Sequence, residues 1–375
     1  MMSQPLSPPV WVATQIDMSA LVRDLAEQSS VAVDTESNSL HAYHEQVCLI
    51  QFSTEKIDYL VDPLALDDIS SLGKIFASSG IEKIFHAAEY DLICLKRDFN
   101  FSVTNIFDTR WAVRVLGYAR DGLDGLLKDK FDVQVNKKFQ KADWGKRPLS
   151  AEQINYARLD THYLLPLKKM LEAELEQKGL LQMACEDFER ACDVEIPSAK
   201  PVLWERMANN HNFSPRELTI LKELYEARER IAEELDRPPF KVMGDMQLFD
   251  IARLTPQYLD ELFGLGLSNR QVVRWGKAIL QAVEKGQEGP LVKHQQHERP
   301  DDAFLSRLDA LKAWRKNTAR QMGVESDVVL PRPLMERIAE SAPNTMTELS
   351  DLLAGSPWRM ARFGPQILKT VKGKR

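Results

Sequence analysis

Strand-like patterning runs through the first 200 residues of this 375-residue chain and then stops. Before that point, short apolar and β-branched runs alternate with amphipathic stretches. Beyond it, apolar residues recur only at helical spacing. The break imposes two architectures on one chain, and the length already exceeds what one ordinary core can organise.

In the front half, "SALVRDLAEQ" (19–28) reads as a helix and "VAVDTES" (31–37) as a strand. "VCLIQFST" (47–54) and "IDYLVDP" (57–63) are further strands flanking a turn at Glu55-Lys56. "DDISSLGKIFASSG" (67–80) reads as a helix, "EKIFHAA" (82–88) as a strand and "YDLICLKRDF" (90–99) as a helix. "IFDTRWAVRVLG" (106–117) opens another helix, capped by Asp108 or Thr109. Adjoining strands imply an antiparallel meander, and the later alternation adds parallel pairing. The expected fold class is therefore α/β, a mixed sheet with flanking helices.

The back half looks duplicated. "LTILKELYEARERIAEEL" (218–235) resembles "LDALKAWRKNTARQMGV" (308–324), and "LFDIARLTPQYLDELFGLG" (248–266) resembles "LMERIAESAPNTMTELSDLLAG" (334–355). "NRQVVRWGKAIL" (269–280) then matches "WRMARFGPQIL" (358–368). The period of roughly 87–90 residues suits a small helical domain occurring twice. "PSAKP" (197–201) reads as a linker, giving expected domains at 1–200, 201–292 and 300–375. His294 and His297 form an H-x-x-H in the polar segment between the copies, but no acid or cysteine spacing completes a metal site there.

Charge narrows the function classes only slightly. The net charge is −6, with −9 in residues 1–200 and +3 in 201–375. An acidic front suits a carboxylate cluster that binds cations, and a mildly basic back can touch phosphate. No apolar run approaches the roughly 20 residues of a membrane span. The opening "MMSQPLSPPVWVATQ" has neither a basic nor an apolar leader region, so export is not expected. Four cysteines without C-x-x-C spacing point to reduced thiols in the cytoplasm.

Five residues in three contexts carry the chemistry. Asp34 and Glu36 end a strand two positions apart, so their side chains share a face. Asp91 falls in the first turn of a helix, where an acid also complements the macrodipole. Tyr156 and Asp160, in "SAEQINYARLDTHYLLPL" (150–167), lie four apart on a helix that Ser150 and Gln153 open as a capping box. Each has an ordinary structural explanation alone: a solvated turn, a helix cap, a local Tyr–Asp pair. Four carboxylates converging on one point would repel one another without divalent cations. Hard ions such as Mg²⁺ or Mn²⁺ take oxygen ligands of this kind, and two of them serve phosphodiester cleavage.

Taken together, D-x-E, "FHAAEYDL", "FDT" and Y-x-x-x-D resemble the DEDD exonuclease superfamily, tyrosine subclass, and within it the ribonuclease D type. The helical copies resemble HRDC domains. The resemblance implies a ribonuclease H-like sheet and two divalent metal ions, Mg²⁺ or Mn²⁺. It implies Asp34 as the ligand bridging both ions, with Glu36 and Asp160 completing the one that activates water. Asp91 would serve the second ion, and Tyr156 would orient the attacking water. The implied reaction is 3′-to-5′ hydrolysis of RNA with a single-stranded 3′ end, releasing nucleoside 5′-monophosphates, with tRNA precursors among the substrates. One departure is Ser37, where the family usually carries an aromatic; it bears on a stacking contact near the terminal nucleotide, not on the metals.

"KKFQKADWGKRPLS" (137–150) interleaves Lys137, Lys138, Lys141, Lys146 and Arg147 with Phe139 and Trp144. It reads either as a phosphate-and-base contact surface or as a cationic loop with two buried aromatics. Arg270, Arg274 and Lys277 form a candidate auxiliary grip at a helix start, and "KTVKGKR" (369–375) closes the chain with a basic tail. Two other readings stand beside the exoribonuclease: the same acids acting on single-stranded DNA, and a non-enzymatic nucleic-acid-binding protein on a decayed nuclease fold. The intact set of acids argues against the latter. No membrane and no obligate protein partner is expected.

Overall fold

Val47–Ser53 is buried at every position, as a strand covered on both faces must be. The computed structural model describes residues 6–196, 203–209, 211–292 and 301–373. The linker at 197–201, His294, His297 and the last two tail residues lie outside them. The described residues fall into two compact units, one drawn from the spans 1–36, 47–196 and 299–375, the other from 37–46 and 197–298.

In the first unit the six strands are β1 (Val10–Val12), β2 (Ser30–Ser37), β3 (Val47–Ser53), β4 (Asp58–Val61), β5 (Glu82–Phe85) and β6 (Ile106–Asp108). Their order across the sheet is β1–β4–β3–β2–β5–β6. β3 and β4 run antiparallel, with Phe52 opposite Tyr59. β2–β5 and β5–β6 are parallel, with Ala32 beside Ile84 and Ile84 beside Phe107. β1 also pairs in parallel, with β4. The expected mixed α/β sheet is therefore present, extended by two three-residue strands too short for alternation to reveal.

Among the described residues, eight helices flank the sheet: α1 (Gln15–Ala26), α2 (Leu72–Ala77), α3 (Glu89–Phe99), α4 (Thr109–Val115), α5 (Leu123–Phe131), α6 (Ala151–His162), α7 (Leu164–Gln177) and α8 (Leu181–Cys192). The helix expected over 67–80 shrinks to α2. Asp68 accepts the Ser70 N–H at 2.8 Å, so a local side-chain turn replaces the first helical turn. Phe52, Phe76, Phe85 and Phe107 are buried in the core, each stabilising the fold by about 1.5–3 kcal/mol.

The second helical copy belongs to this unit. Its segments, Asp302–Met322, Ser326–Val329, Arg332–Ser341, Met346–Leu352 and Pro357–Lys372, dock through Arg359, which is fully buried. The Arg359 guanidinium donates to Glu186 and Asp187 of α8, each at 2.7 Å.

The second unit holds the first copy, with helices at Pro215–Glu234, Pro239–Val242, Asp245–Leu254 and Asn269–Glu288 and a 3-10 turn at Leu259–Leu265. The succession matches the other copy element for element. Both third helices end on a left-handed residue, Thr255 at φ 45° and Ala342 at φ 47°. Arg228 donates to the Met243 carbonyl at 3.1 Å, and Arg315 to the Leu330 carbonyl at 2.9 Å. The connection 37–46 packs here as well: Tyr43 and His44 donate backbone N–H groups to Asp236. No described helix is long and apolar enough to cross a membrane.

Candidate active site

β2 carries Asp34 and Glu36 to its carboxyl end, where both are half-buried. α6 faces them with Asp160. One carboxylate oxygen from each of Asp34, Glu36 and Asp160 lies within 4.8 Å of the others. The capping box at Ser150 and Gln153 is formed as the sequence implies. Tyr156, one turn before Asp160, is buried beneath the same cleft. Behind Asp160 the helix is pinned to the sheet. Thr161 meets Ser53 hydroxyl to hydroxyl at 2.7 Å, and His162 Nδ1 lies 2.9 Å from Asp58.

Asp91 enters from α3 and is held by the middle residue of the D-x-E. The Thr35 N–H and hydroxyl both donate to Asp91 Oδ1. α3 begins after a sharp turn in which Ala87 takes φ 67°, a conformation that costs a residue with a Cβ. Asp108 secures that turn, accepting the Ala87 N–H at 3.0 Å and the Ala88 N–H at 2.8 Å. It also caps α4 by accepting from Arg110 and Trp111. The capping role is evident from sequence; the cross-chain role is not. Thr109 donates its hydroxyl to the Phe85 carbonyl, which leaves His86 Nδ1 as donor to Thr109 at 2.9 Å.

Burial and mutual repulsion dominate the electrostatics. Burial, then Asp91, Asp160 and Glu36, push the Asp34 carboxyl well up; burial, then Asp160 and Asp91, do the same to Glu36. Burial raises Asp91 to about 7, against two opposing Thr35 hydrogen bonds. Burial and then Asp91 raise Asp160 to about 8. The Tyr156 phenol is pushed far up by burial, then by Asp160, Glu36 and Asp34, so it stays a neutral donor. An all-oxygen donor set under such repulsion fits a divalent cation, which would relieve it. Asp34, Glu36 and Asp160 would hold the ion directly, with Asp91 beside them. These acids line a cleft of about 480 Å³.

Residues 9–176 match the 3′-5′ exonuclease family, and residues 217–283 and 304–371 each match the HRDC domain. The chain is 29% identical to ribonuclease D of Gluconacetobacter diazotrophicus, over 98% of this chain and 93% of that one. The crystal structure of Escherichia coli RNase D aligns with a TM-score of 0.72 and 25% identity, over 98% and 99% of the two chains. This chain carries a DEDD 3′–5′ exonuclease domain and two HRDC domains. It is also 34% identical to the exosome complex exonuclease RRP6 of Saccharomyces cerevisiae, over 67% of this chain but only 36% of that one. The chain thus spans little more than a third of that relative's length.

Two expectations about the exonuclease's substrate contacts need correcting. Trp144 is buried, not presented to bases; its ring lies 6.0 Å from that of Tyr156, with Phe139 at 5.8 Å on the same residue. Its apolar bulk is worth more as a buttress for Tyr156 than in water. Arg147 is committed to structure: it pairs with Asp62 at 2.7 Å and donates to the carbonyls of Cys48 and Trp144. Lys137 does reach the cleft but pairs there with Asp124 at 2.7 Å. Lys138 pairs with Glu152 at 2.8 Å, and Lys141 is exposed. Arg270, Arg274 and Lys277 are exposed on Asn269–Glu288, whose start is closed by a Ser268–Gln271 capping box. Sequence reasoning missed Gln140, which hydrogen-bonds Tyr156. A lone Gln in a lysine-rich run carries no signal of that kind.

Proposed function

We propose that this exonuclease is a 3′-to-5′ exoribonuclease of the ribonuclease D type, removing single nucleotides from single-stranded 3′ ends of structured RNAs such as tRNA precursors. The observation that carries the reading is the meeting of Asp34, Glu36 and Asp160 within 4.8 Å, with Asp91 held beside them. Two bound Mg²⁺ or Mn²⁺ ions would supply Lewis acidity at the scissile phosphate and lower the pKa of water. The side chains have separate tasks. Asp34 faces all three other acids and would be a ligand to both ions. Glu36 and Asp160 would hold one of the ions, and Asp91, fixed by Thr35, would hold the other. The Tyr156 phenol hydrogen-bonds the attacking water and orients it, while Gln140, Phe139 and Trp144 fix the ring. Lys137, Lys138 and Lys141 border the strand's path, and Arg270, Arg274 and Lys277 give the first HRDC domain an auxiliary grip. Scattered thiols support a cytoplasmic setting.

The test is matched RNA and DNA strands with 3′ overhangs, incubated with Mg²⁺, Mn²⁺ or a chelator, with products resolved by length. A single-nucleotide ladder on RNA that chelation abolishes is expected. Equal digestion of both strands would transfer the reading to DNA, and no digestion with either ion would end it.

A further inference from the structure

The cleft lining also carries cations, and one of them is tied to the second HRDC domain. Arg110 is about half exposed at the cleft and donates through Nε to Asp121 Oδ2 at 2.9 Å. Asp121 also lies 4.0 Å from Arg114. Arg114, mostly buried, stacks 4.5 Å over the Trp111 ring and pairs with Asp327 at 2.6 Å. Asp327 belongs to the second HRDC domain. The same domain touches the backbone just before Asp121: a Cβ on Gly117, which sits at φ 78°, would fall 2.5 Å from the Gly323 carbonyl oxygen. Segment 117–124, which supplies Asp121 and Asp124 to the cleft, is therefore built against that domain.

A polyanionic strand approaching four carboxylates needs compensating positive charge close by. The described cleft lining offers two cations, Arg110 and Lys137. A guanidinium is the better phosphate ligand because its planar donors match phosphate geometry bidentately. Resting on the nuclease reading above, we propose that Arg110 contacts a phosphate of the bound strand and that the second HRDC domain positions it through Asp327, Arg114 and Asp121. The domain thereby braces the substrate cleft. Arg110 touches substrate; Arg114, Asp121 and Asp327 act through it.

The experiment uses the full chain, with binding of a labelled single-stranded RNA followed by anisotropy across a salt series, alongside turnover. Arg110→Ala weakens binding by about tenfold, raises KM more than it lowers kcat, and shrinks the salt dependence by about 0.7 in log–log slope, the value for one phosphate contact on a single strand. Arg110→Lys recovers part of the loss. Asp327→Ala, at a part-exposed position, weakens binding by a few-fold, and that effect disappears when Arg110 is already alanine. Unchanged affinity and salt slope in Arg110→Ala overturn the proposal, as do additive effects of the two substitutions. Arg110-dependent binding by a wild-type chain that never shortens the strand would keep the phosphate contact and remove the nuclease reading instead.

Discussion

Thr35 and Asp91, 56 positions apart in sequence, are joined twice: the backbone N–H and the hydroxyl of Thr35 both donate to one carboxylate oxygen of Asp91. The strand that supplies two acids to the site thus also holds a third, from α3.

Thr35→Val keeps the shape of the side chain and removes the hydroxyl bond. Apparent Mn²⁺ affinity should fall by about 10–100-fold, as loss of a group orienting a metal ligand generally does. Thr35→Ser should recover most of it. Isothermal titration measures this directly, and an unchanged affinity in Thr35→Val would show that the bond does not orient Asp91.

Asp34→Asn should separate activity from stability. Asp34 is held against three other acids, so neutralising it relieves repulsion in the metal-free protein while removing the proposed bridging ligand. Turnover should fall by at least about a hundredfold, the scale of losing one well-placed electrostatic group. Thermal stability in chelator should rise. A fully active variant excludes the bridging role.

The residues legible in the sequence were those whose geometry is local. Period-two alternation places Asp34 and Glu36 on one face of β2, and four-residue spacing places Tyr156 with Asp160 on α6. The helical duplication was visible as well, because repetition preserves spacing even where residues differ. What stayed hidden depends on partners far away in the chain. Asp108 reads as a cap, yet it also holds Ala87 and Ala88, twenty and more positions back. Trp144 reads equally as a stacking platform or as a buried aromatic, because nothing local reveals that it packs under Tyr156. β1 and β6 are too short for any pattern, and only their pairing in the sheet defines them.

The acid cluster should also make metal-free stability depend on pH. Asp91 and Asp160 rise from 3.8 to about 7 and about 8, burial being the main cause in both. The folded protein therefore binds more protons than the unfolded chain between the two ranges, and stability falls as pH rises through it. In chelator the melting temperature should drop from about pH 5 to about pH 8.5, and Asp160→Asn should flatten that slope. Divalent ions should oppose the drop, since they favour the ionised acids. A metal-free melting temperature that rises over this range would contradict the site's electrostatics.

Tyr156→Phe tests the water-positioning role. The phenol stays protonated, since burial and three acids oppose its ionisation, so it acts as a donor rather than a base. Removing it should lower kcat by about a hundredfold, the low end for a positioned proton partner. RNA affinity should change little, because the ring and its packing on Phe139 and Trp144 remain. Equal loss in kcat and affinity would point to a collapsed ring instead.

Arg359 pairs with Glu186 and Asp187 out of reach of solvent. Burial raises the Glu186 carboxyl although Arg359 and two backbone N–H groups pull it down, so the guanidinium compensates a charge that water cannot reach. Asp187 retains Arg190 as a second partner; Glu186 is the more exposed to the loss. Arg359→Met should destabilise the chain by about 3–5 kcal/mol, the scale of breaking one side of a buried pair. Adding Glu186→Gln removes the stranded charge while keeping an acceptor for the Trp358 N–H, and should restore part of the stability. Urea unfolding of the two variants reads both effects. A loss below about 1 kcal/mol for Arg359→Met, the scale of an exposed pair, would mean that apolar packing alone seats the second HRDC domain on α8.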